Sequence, residues 1–199
     1  MPFAPDVLAR LTAIVGESRL KTDADSLKTW GCDWTRIYTP APAAIAFPST
    51  IEQVRDIVLL ANGAGFSLVP SGGRTGLSAG AVAANGELVV SFDYMNKILE
   101  FVPEDRMVRL QAGVVTEQLQ NFADEQGLYY PVDFASAGSS QIGGNIGTNA
   151  GGIKVIKYGM TRNWVMGMKV VTGKGDILEL NKDMVKNATG YDFRHLFIG

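Results

Sequence analysis

The segment of residues 136–152 reads S-A-G-S-S-Q-I-G-G-N-I-G-T-N-A-G-G and contains neither a charged residue nor a proline. Six of its residues are glycines, which adopt positive φ angles and let another surface approach the backbone closely. Successive N–H groups in such turns can converge into an anion-binding concavity. Ile142, Ile146 and Ile153 recur here as apolar anchors of a buried type, which argues against a flexible linker. The segment therefore predicts a site for a large ligand that combines a flat ring with a phosphate.

A second glycine-rich stretch, residues 70–80, reads P-S-G-G-R-T-G-L-S-A-G. Neither standard phosphate loop is present. The only Gly-Lys pair, Gly173-Lys174, is followed by glycine instead of the Ser or Thr of a P-loop. The dinucleotide fingerprint fails because Leu68 and Leu178 occupy the position of its third glycine. Arg74 is the only charge in the stretch, and two interpretations of it stay open, an ion pair with a diphosphate or a solvated loop tip.

Charge and cysteine content narrow the class of protein. The net charge is -2, from 18 basic and 20 acidic residues, which argues against a general nucleic-acid binder. The single cysteine, Cys32, excludes an intrachain disulfide and suits a reducing compartment. No apolar run approaches the roughly 18 residues of a membrane-spanning helix, and no signal-peptide pattern is present, so we expect a cytoplasmic protein. His195 is the only histidine, and with Asp192 alone it does not make a metal site.

The N-terminal residues predict two helices and an irregular arm. Apolar residues at helical spacing predict a helix over residues 5–15, and Asp25 is a candidate cap for a short helix toward Trp30. The arm that follows either covers a ligand or packs on the core, and packing is favoured for its tryptophans. Its aromatic and basic residues are Trp30, Trp34, Arg36 and Tyr38.

A β-α-β pattern follows the arm. Strands are predicted at residues 44–47 and 66–69, on either side of a helix. The capping-box pattern Ser49-x-x-Glu52 opens that helix, and Gly63 and Gly65 end it. The order predicts two parallel strands, and it places residues 70–80 at the carboxyl end of the second strand, where α/β units bind ligands.

The remainder of the chain has a different pattern, with hairpins on either side of a helix. This change near Lys97 divides the chain into a first subdomain, residues 1–97, and a second, residues 98–199. The predicted elements are a strand at 88–92, a hairpin at 98–102 and 107–111, a helix at 116–126 closed by Gly127, and a hairpin at 165–172 and 177–180.

The motifs occur in an order that resembles one family. After the two glycine stretches come K-Y-G-M-T-R, V-V-T-G-K-G-D and N-A-T-G-Y-D-F-R-H-L-F-I-G. From about residue 43 to residue 199 the chain resembles the flavin-linked D-2-hydroxyacid dehydrogenases and oxidases, which include D-lactate dehydrogenase, the glycolate oxidase catalytic subunit and D-2-hydroxyglutarate dehydrogenase. The resemblance implies an α+β fold, a two-subdomain FAD-binding module of the vanillyl-alcohol-oxidase or p-cresol-methylhydroxylase type. It also implies an oxidoreductase that passes hydride from a D-2-hydroxyacid to FAD.

The resemblance assigns residues of both glycine stretches to the cofactor. The diphosphate would be bound by Ser71, Gly72, Gly73, Arg74, Thr75, Gly76, Leu77 and Ser78, and Pro70 would also belong to the cofactor site. Residues along the cofactor would be Pro131, Ala137, Gly138 and Ser140. Residues at the ribityl chain and ring would be Gly143, Gly144, Asn145, Thr148, Asn149 and Gly152. Some relatives attach FAD through a histidine in the first stretch, which has none here, so we expect non-covalent FAD.

In the family, the motif L-F-I-G continues into further glycines, a strand and a substrate domain, whereas this sequence ends at Gly199. The resemblance therefore implies a module truncated at its C-terminal end. The catalytic base, the metal-binding residues and any oligomer contact are expected beyond that point, and no turnover of a small 2-hydroxyacid is expected from the 199 residues alone. Two other interpretations stay open, a non-catalytic FAD-binding subunit of a multi-subunit oxidase and a nucleotide-binding module without a redox role.

Overall fold

The computed structural model describes residues 3–181, 184 and 186–199. The chain divides into two compact units. The first ends at Met95 and also takes in Gly173–Asp176, and the second comprises Asn96–Thr172 and resumes at Ile177. Each unit combines helices with strands, which confirms the predicted α+β class.

The first unit opens with helix α1 (Pro5–Val15), which confirms the helix predicted there. Strand β1 (Leu20–Lys21) and helix α2 (Ala24–Trp30) follow. Asp23, and not Asp25, caps α2, because the Asp23 carboxylate accepts a 2.9 Å hydrogen bond from the Ser26 amide. The backbone of Asp23 is extended, as an N-cap requires, whereas Asp25 already lies in the first helical turn.

Strand β2 (Ala44–Ala46), helix α3 (Ile51–Ala64), strand β3 (Leu68–Ser71) and strand β4 (Leu88–Ser91) complete the first unit. The helix begins one residue later than the capping-box pattern predicted. Thr50, and not Ser49, accepts the capping hydrogen bond, from the Gln53 amide. Gly65 ends α3 in the left-handed region, with φ 73°, whereas Gly63 lies inside the helix.

These strands form a sheet in the order β1-β2-β4-β3. Strands β2 and β3 are parallel to β4, and β1 is antiparallel to β2. The parallel arrangement was predicted, but β4 lies between the two strands of the predicted β-α-β unit. All four residues of β4 are buried, as is typical of a central strand covered on both faces.

Alternation along the strands separates two apolar layers. Leu88 packs with Leu11 of α1 and Ile57 of α3, and all three are inaccessible to solvent. Burial of each such side chain contributes roughly 1.5–3 kcal/mol. On the other face, Val89 lies in a cluster with Phe47, against which Trp30 packs edge-on at 5.2 Å. The expected packing of the arm is thus confirmed for Trp30 and is wrong for Trp34, which is 67% exposed.

The second unit contains both predicted hairpins and the predicted helix. Strands β5 (Ile98–Val102) and β6 (Met107–Leu110) pair antiparallel. Helix α4 (Thr116–Glu125) follows, and strands β7 (Met168–Val171) and β8 (Ile177–Leu180) also pair antiparallel. A small core of Val114, Leu119 and Ile142 joins α4 to the second glycine stretch.

Two short helices were not predicted, α5 (Ile142–Gly147) and α6 (Val155–Tyr158). Helix α5 lies inside the glycine-rich segment and contains three glycines, each of which disfavours a helix interior by about 1 kcal/mol. Burial of Ile142 and Asn145 at its inner face outweighs that preference. The prediction that Ile153 is a buried anchor is wrong, because its side chain is 80% exposed.

Candidate cofactor site

In the first unit, a glycine-rich loop follows strand β3. Pro70 and Ser71 belong to the strand itself, so the loop comprises residues 72–80. It lies at the carboxyl end of the parallel strands β3 and β4, the usual ligand-binding edge of such a sheet. Gly76 has open space where a side chain would stand. A ligand can therefore approach the backbone at Gly76 without obstruction by a side chain.

Arg74 is turned toward its own unit. Its guanidinium donates to the Gly72 carbonyl at 2.9 Å, lies 3.5 Å from the Asp93 carboxylate and stacks 5.7 Å above the Trp30 ring. The Trp30 indole N–H donates to the same Asp93 at 2.7 Å. The solvated-tip interpretation of Arg74 is wrong, because the side chain is only 24% exposed.

Asp33, which lies outside both glycine stretches, also holds this loop. One carboxylate oxygen accepts from the Thr35 amide at 2.9 Å and the Thr35 hydroxyl at 2.6 Å. The other oxygen accepts from the Ala79 amide at 2.9 Å. Burial raises the pKa of Asp33, but the hydrogen bonds from Thr35 and Ala79 outweigh it and hold the pKa below its ordinary value. The Asp-x-Thr spacing was the available signal, since it is typical of an Asx turn.

The other predicted residues of this stretch differ in accessibility. The Ser71 hydroxyl is fully buried and has no hydrogen-bond partner among the described residues. Thr75 is half-buried, as are Gly72 and Gly73. The residues exposed to solvent are Pro70, Gly76, Leu77 and Ser78.

In the second unit, helix α5 presents an exposed face made of glycine and threonine. Gly144, Gly147 and Thr148 lie three and four residues apart, so they share this face. A Cβ built at Gly144 or Gly147 would meet no atom within 4 Å. Gly143 faces inward, where a Cβ would lie 2.7 Å from that of Ala112. The face carries no charged side chain and has open space above its two glycines, which suits the approach of a planar ring.

A buried hydrogen-bond network anchors the inner face of α5. The Asn145 side-chain amide donates to the Thr116 hydroxyl at 2.6 Å, and that hydroxyl is 2.7 Å from the Ser140 hydroxyl. All three side chains are buried. Asn145 and Ser140, which the resemblance assigned to the cofactor, are thus committed to the protein through these groups. Sequence reasoning missed Thr116, which lies outside both glycine stretches.

The residues on either side of α5 form tight turns. The Ala137 carbonyl accepts from the Glu117 amide at the start of α4, while Gly138 is exposed and Pro131 is buried. Asn149 has φ 49°, and its side-chain oxygen accepts from the Arg162 amide at 3.0 Å. Gly152 has φ 115°, and a Cβ there would lie 2.1 Å from the Asp133 carbonyl. Gly152 is therefore required by the backbone itself, whatever ligand is bound.

His195 is engaged in a cluster of charged side chains. Its Nδ1 lies 2.6 Å from the Arg162 guanidinium and its Nε2 lies 3.4 Å from Asp192. Hydrogen bonds from Arg194 lower the pKa of Asp192 to about 2. The described residues include no group of three or more His, Cys, Asp or Glu side chains arranged to hold a metal ion.

Comparison with known proteins shows which family has this sequence pattern. Residues 42–181 match the family described as FAD binding domain, over more than half of the chain. The chain belongs to the FAD-binding domain family. FAD is the cofactor of this family, and the residues present fit it. The glycine face of α5 leaves room for a flat ring, the loop of residues 72–80 has open space at Gly76, and the buried Ser71 hydroxyl has no partner among the described residues.

Two curated relatives of this FAD-binding domain are named D-2-hydroxyglutarate dehydrogenase. The chain is 70% identical over 195 residues to D-2-hydroxyglutarate dehydrogenase of Stutzerimonas stutzeri. It is 58% identical over 195 residues to the protein of that name from Xanthomonas citri. Both alignments cover 98% of this chain but 42% and 41% of the relatives, so the chain spans about two-fifths of their length. The resemblance to the flavin-linked D-2-hydroxyacid dehydrogenases is confirmed.

Solved structures establish the type of fold. Alkyldihydroxyacetonephosphate synthase matches with a TM-score of 0.88 at 23% identity, over 100% of this chain and 38% of that protein. The p-cresol methylhydroxylase matches with a TM-score of 0.80 at 21% identity, over 97% and 40%. The predicted p-cresol-methylhydroxylase type is therefore confirmed. Among the described residues of this FAD-binding domain, no helix has the length and apolar character to cross a membrane.

Proposed function

We propose that this chain forms the FAD-binding part of an enzyme that oxidises D-2-hydroxyglutarate, or a closely related D-2-hydroxyacid, to the 2-oxoacid. The 70% identity to D-2-hydroxyglutarate dehydrogenase of Stutzerimonas stutzeri, over 98% of the chain, is the observation that supports this assignment. The matched region includes both glycine stretches. A non-catalytic subunit is not favoured, because the relatives at this level of identity are themselves named as dehydrogenases.

Bound FAD would supply the acceptor for the hydride of the hydroxyacid. The role of the protein is to bind and orient FAD. In the first unit, Ser71 and the loop residues Gly72 to Ser78 would hold the diphosphate, mainly through backbone N–H groups because Arg74 is turned toward Asp93. Pro70 precedes them as part of β3.

In the second unit, the exposed face of α5 would hold the ribityl chain and the ring. Gly144 and Thr148 contact the cofactor directly in this proposal, since both are exposed on that face. The remaining residues shape the backbone around it. They are Pro131, Ala137, Gly138, Ser140, Gly143, Asn145, Asn149 and Gly152.

A chimera tests the proposal. This chain replaces the matching two-fifths of the Stutzerimonas stutzeri relative, and the purified chimera is assayed for FAD content and for reduction of an artificial dye by D-2-hydroxyglutarate. We expect FAD binding and turnover within about tenfold of the unmodified relative. The same chimera carrying Gly144→Val is the matched control and should lose FAD. A chimera that retains FAD but does not oxidise D-2-hydroxyglutarate, beside an active relative, would refute the proposal that this chain forms the FAD-binding part of such an enzyme.

A further inference from the structure

Two non-glycine residues of the loop 72–80 adopt the left-handed backbone conformation. Arg74 has φ 58° and Ala79 has φ 60°. A side chain in this region is strained, and the strain persists only where surrounding contacts enforce the conformation. Each of the two residues is tied to a carboxylate outside the loop, Arg74 to Asp93 and Ala79 to Asp33.

The Asp33 carboxylate is the more firmly placed of the two. Asp33 is 3% exposed. Thr35 occupies one of its oxygens with two hydrogen bonds, which leaves the other oxygen directed at the Ala79 amide. A second link reinforces the arm on which Asp33 lies, because the Ala83 amide donates to the Gly31 carbonyl at 3.0 Å.

A buried carboxylate next to a loop that binds an anionic diphosphate is unfavourable as a charge, because like charges repel. The presence of Asp33 is explained if the hydrogen bond that its carboxylate accepts from the loop matters more than its charge. We propose that Asp33 is a positioning residue that holds Ala79, and with it the loop 72–80, in the conformation that binds the diphosphate of FAD. This inference rests on the proposed function, since it takes FAD as the ligand.

The substitution Asp33→Asn separates geometry from charge, because the two effects change FAD affinity in opposite directions. Asparagine keeps one acceptor for Thr35 but presents an NH₂ group to the Ala79 N–H, so the bond to the loop is lost. It also removes a negative charge, which by itself would favour an anion. We expect FAD affinity to fall at least about tenfold, the order of a lost hydrogen bond to a charged acceptor.

Ala79→Gly is the rescue variant. Glycine adopts positive φ without steric strain, so Asp33→Asn with Ala79→Gly should recover at least about threefold of the lost affinity. Thr35→Ser is the matched control, since serine keeps both the hydroxyl and the amide that donate to Asp33, and it should bind FAD within about twofold of the unsubstituted protein. Asp33→Glu keeps the charge but displaces the carboxylate, and it should also weaken FAD binding.

The readouts are FAD titration by fluorescence and the amide proton shift of Ala79 in ¹⁵N-labelled protein without FAD. The Ala79 resonance should move upfield in Asp33→Asn, as expected on losing a charged acceptor, and stay in place in Thr35→Ser. Unchanged or tighter FAD binding in Asp33→Asn overturns the positioning role, as does a failure of Ala79→Gly to rescue. If Asp33→Asn does not fold, normal FAD affinity in Asp33→Glu overturns it. Absence of FAD binding by the unsubstituted protein would instead overturn the proposed function.

Discussion

Gly143 lies so close to Ala112 that a Cβ added to the glycine would fall 2.7 Å from the alanine Cβ. The Gly143 amide also donates to the Ala112 carbonyl at 2.7 Å, so the backbone has little room to move away. We predict that Gly143→Ala destabilises the protein by about 1–3 kcal/mol, the usual range for overpacking. Thermal unfolding of the protein without FAD measures this. A melting temperature equal to that of the unsubstituted protein would contradict it.

Gly144 gives the matched comparison to Gly143. It is the next residue of α5, but it faces outward and Gly143 faces inward. A Cβ at Gly144 meets nothing, and alanine is favoured over glycine in a helix by roughly 0.5–1 kcal/mol. We predict that Gly144→Ala leaves the protein without FAD at least as stable but weakens FAD binding, with a larger loss in Gly144→Val. Melting temperature and FAD titration are measured on the same samples. Full FAD affinity in Gly144→Val would show that no ligand approaches this face.

The Thr116 hydroxyl joins Ser140 and Asn145 in a buried network. Thr116→Val keeps the shape of the side chain but leaves two buried polar groups without this partner, which costs about 1–3 kcal/mol for each group left unsatisfied. We predict a corresponding loss of stability in denaturant unfolding. Thr148→Val is the control, since the Thr148 hydroxyl is exposed and its hydrogen bond among the described residues goes to the nearby Gly144 carbonyl in α5. Equal losses in both variants would contradict the assignment of the network to the scaffold.

Tyr130 gives a prediction in alkaline solution. Burial raises the pKa of its phenol to about 12, against a partial lowering by Thr161, from about 10 in an unfolded chain. The Tyr130 phenol holds its proton more tightly in the folded state than in the unfolded chain. Its contribution to the free energy of unfolding is therefore intact below pH about 10 and is lost as the pH rises toward about 12. Spectrophotometric titration should show one of the six tyrosines ionising late. Tyr130→Phe should remove that late step, and its persistence would identify another residue.

Attachment of FAD is predicted to be non-covalent. The two stretches assigned to the cofactor, residues 70–80 and 136–152, contain neither histidine nor cysteine. Acid precipitation of the FAD-loaded protein should therefore release all the yellow colour into the supernatant. Flavin fluorescence that remains on the denatured protein band after electrophoresis would contradict this.

Much of the secondary structure was predictable from local patterns. Helix α1, helix α4 and both hairpins follow from apolar periodicity, from Gly16 or Gly127 at the helix ends and from short turns. These signals act over a few residues, so they can be recognised along the sequence. The two glycine stretches and the motifs after them likewise pointed to the FAD-binding family before any contact was known.

The sequence by itself determined the α+β class, the family and the segments that carry the glycines. Only the tertiary structure decided that β4 lies between β2 and β3, that α5 is helical despite its glycines, and that Asp33 holds Ala79 across 46 positions of sequence. Each of these depends on contacts between distant residues, through sheet pairing, core burial or a buried hydrogen bond. Such contacts can outweigh the local preference for a secondary structure by a few kcal/mol. A local sequence pattern does not show which distant residue makes the contact.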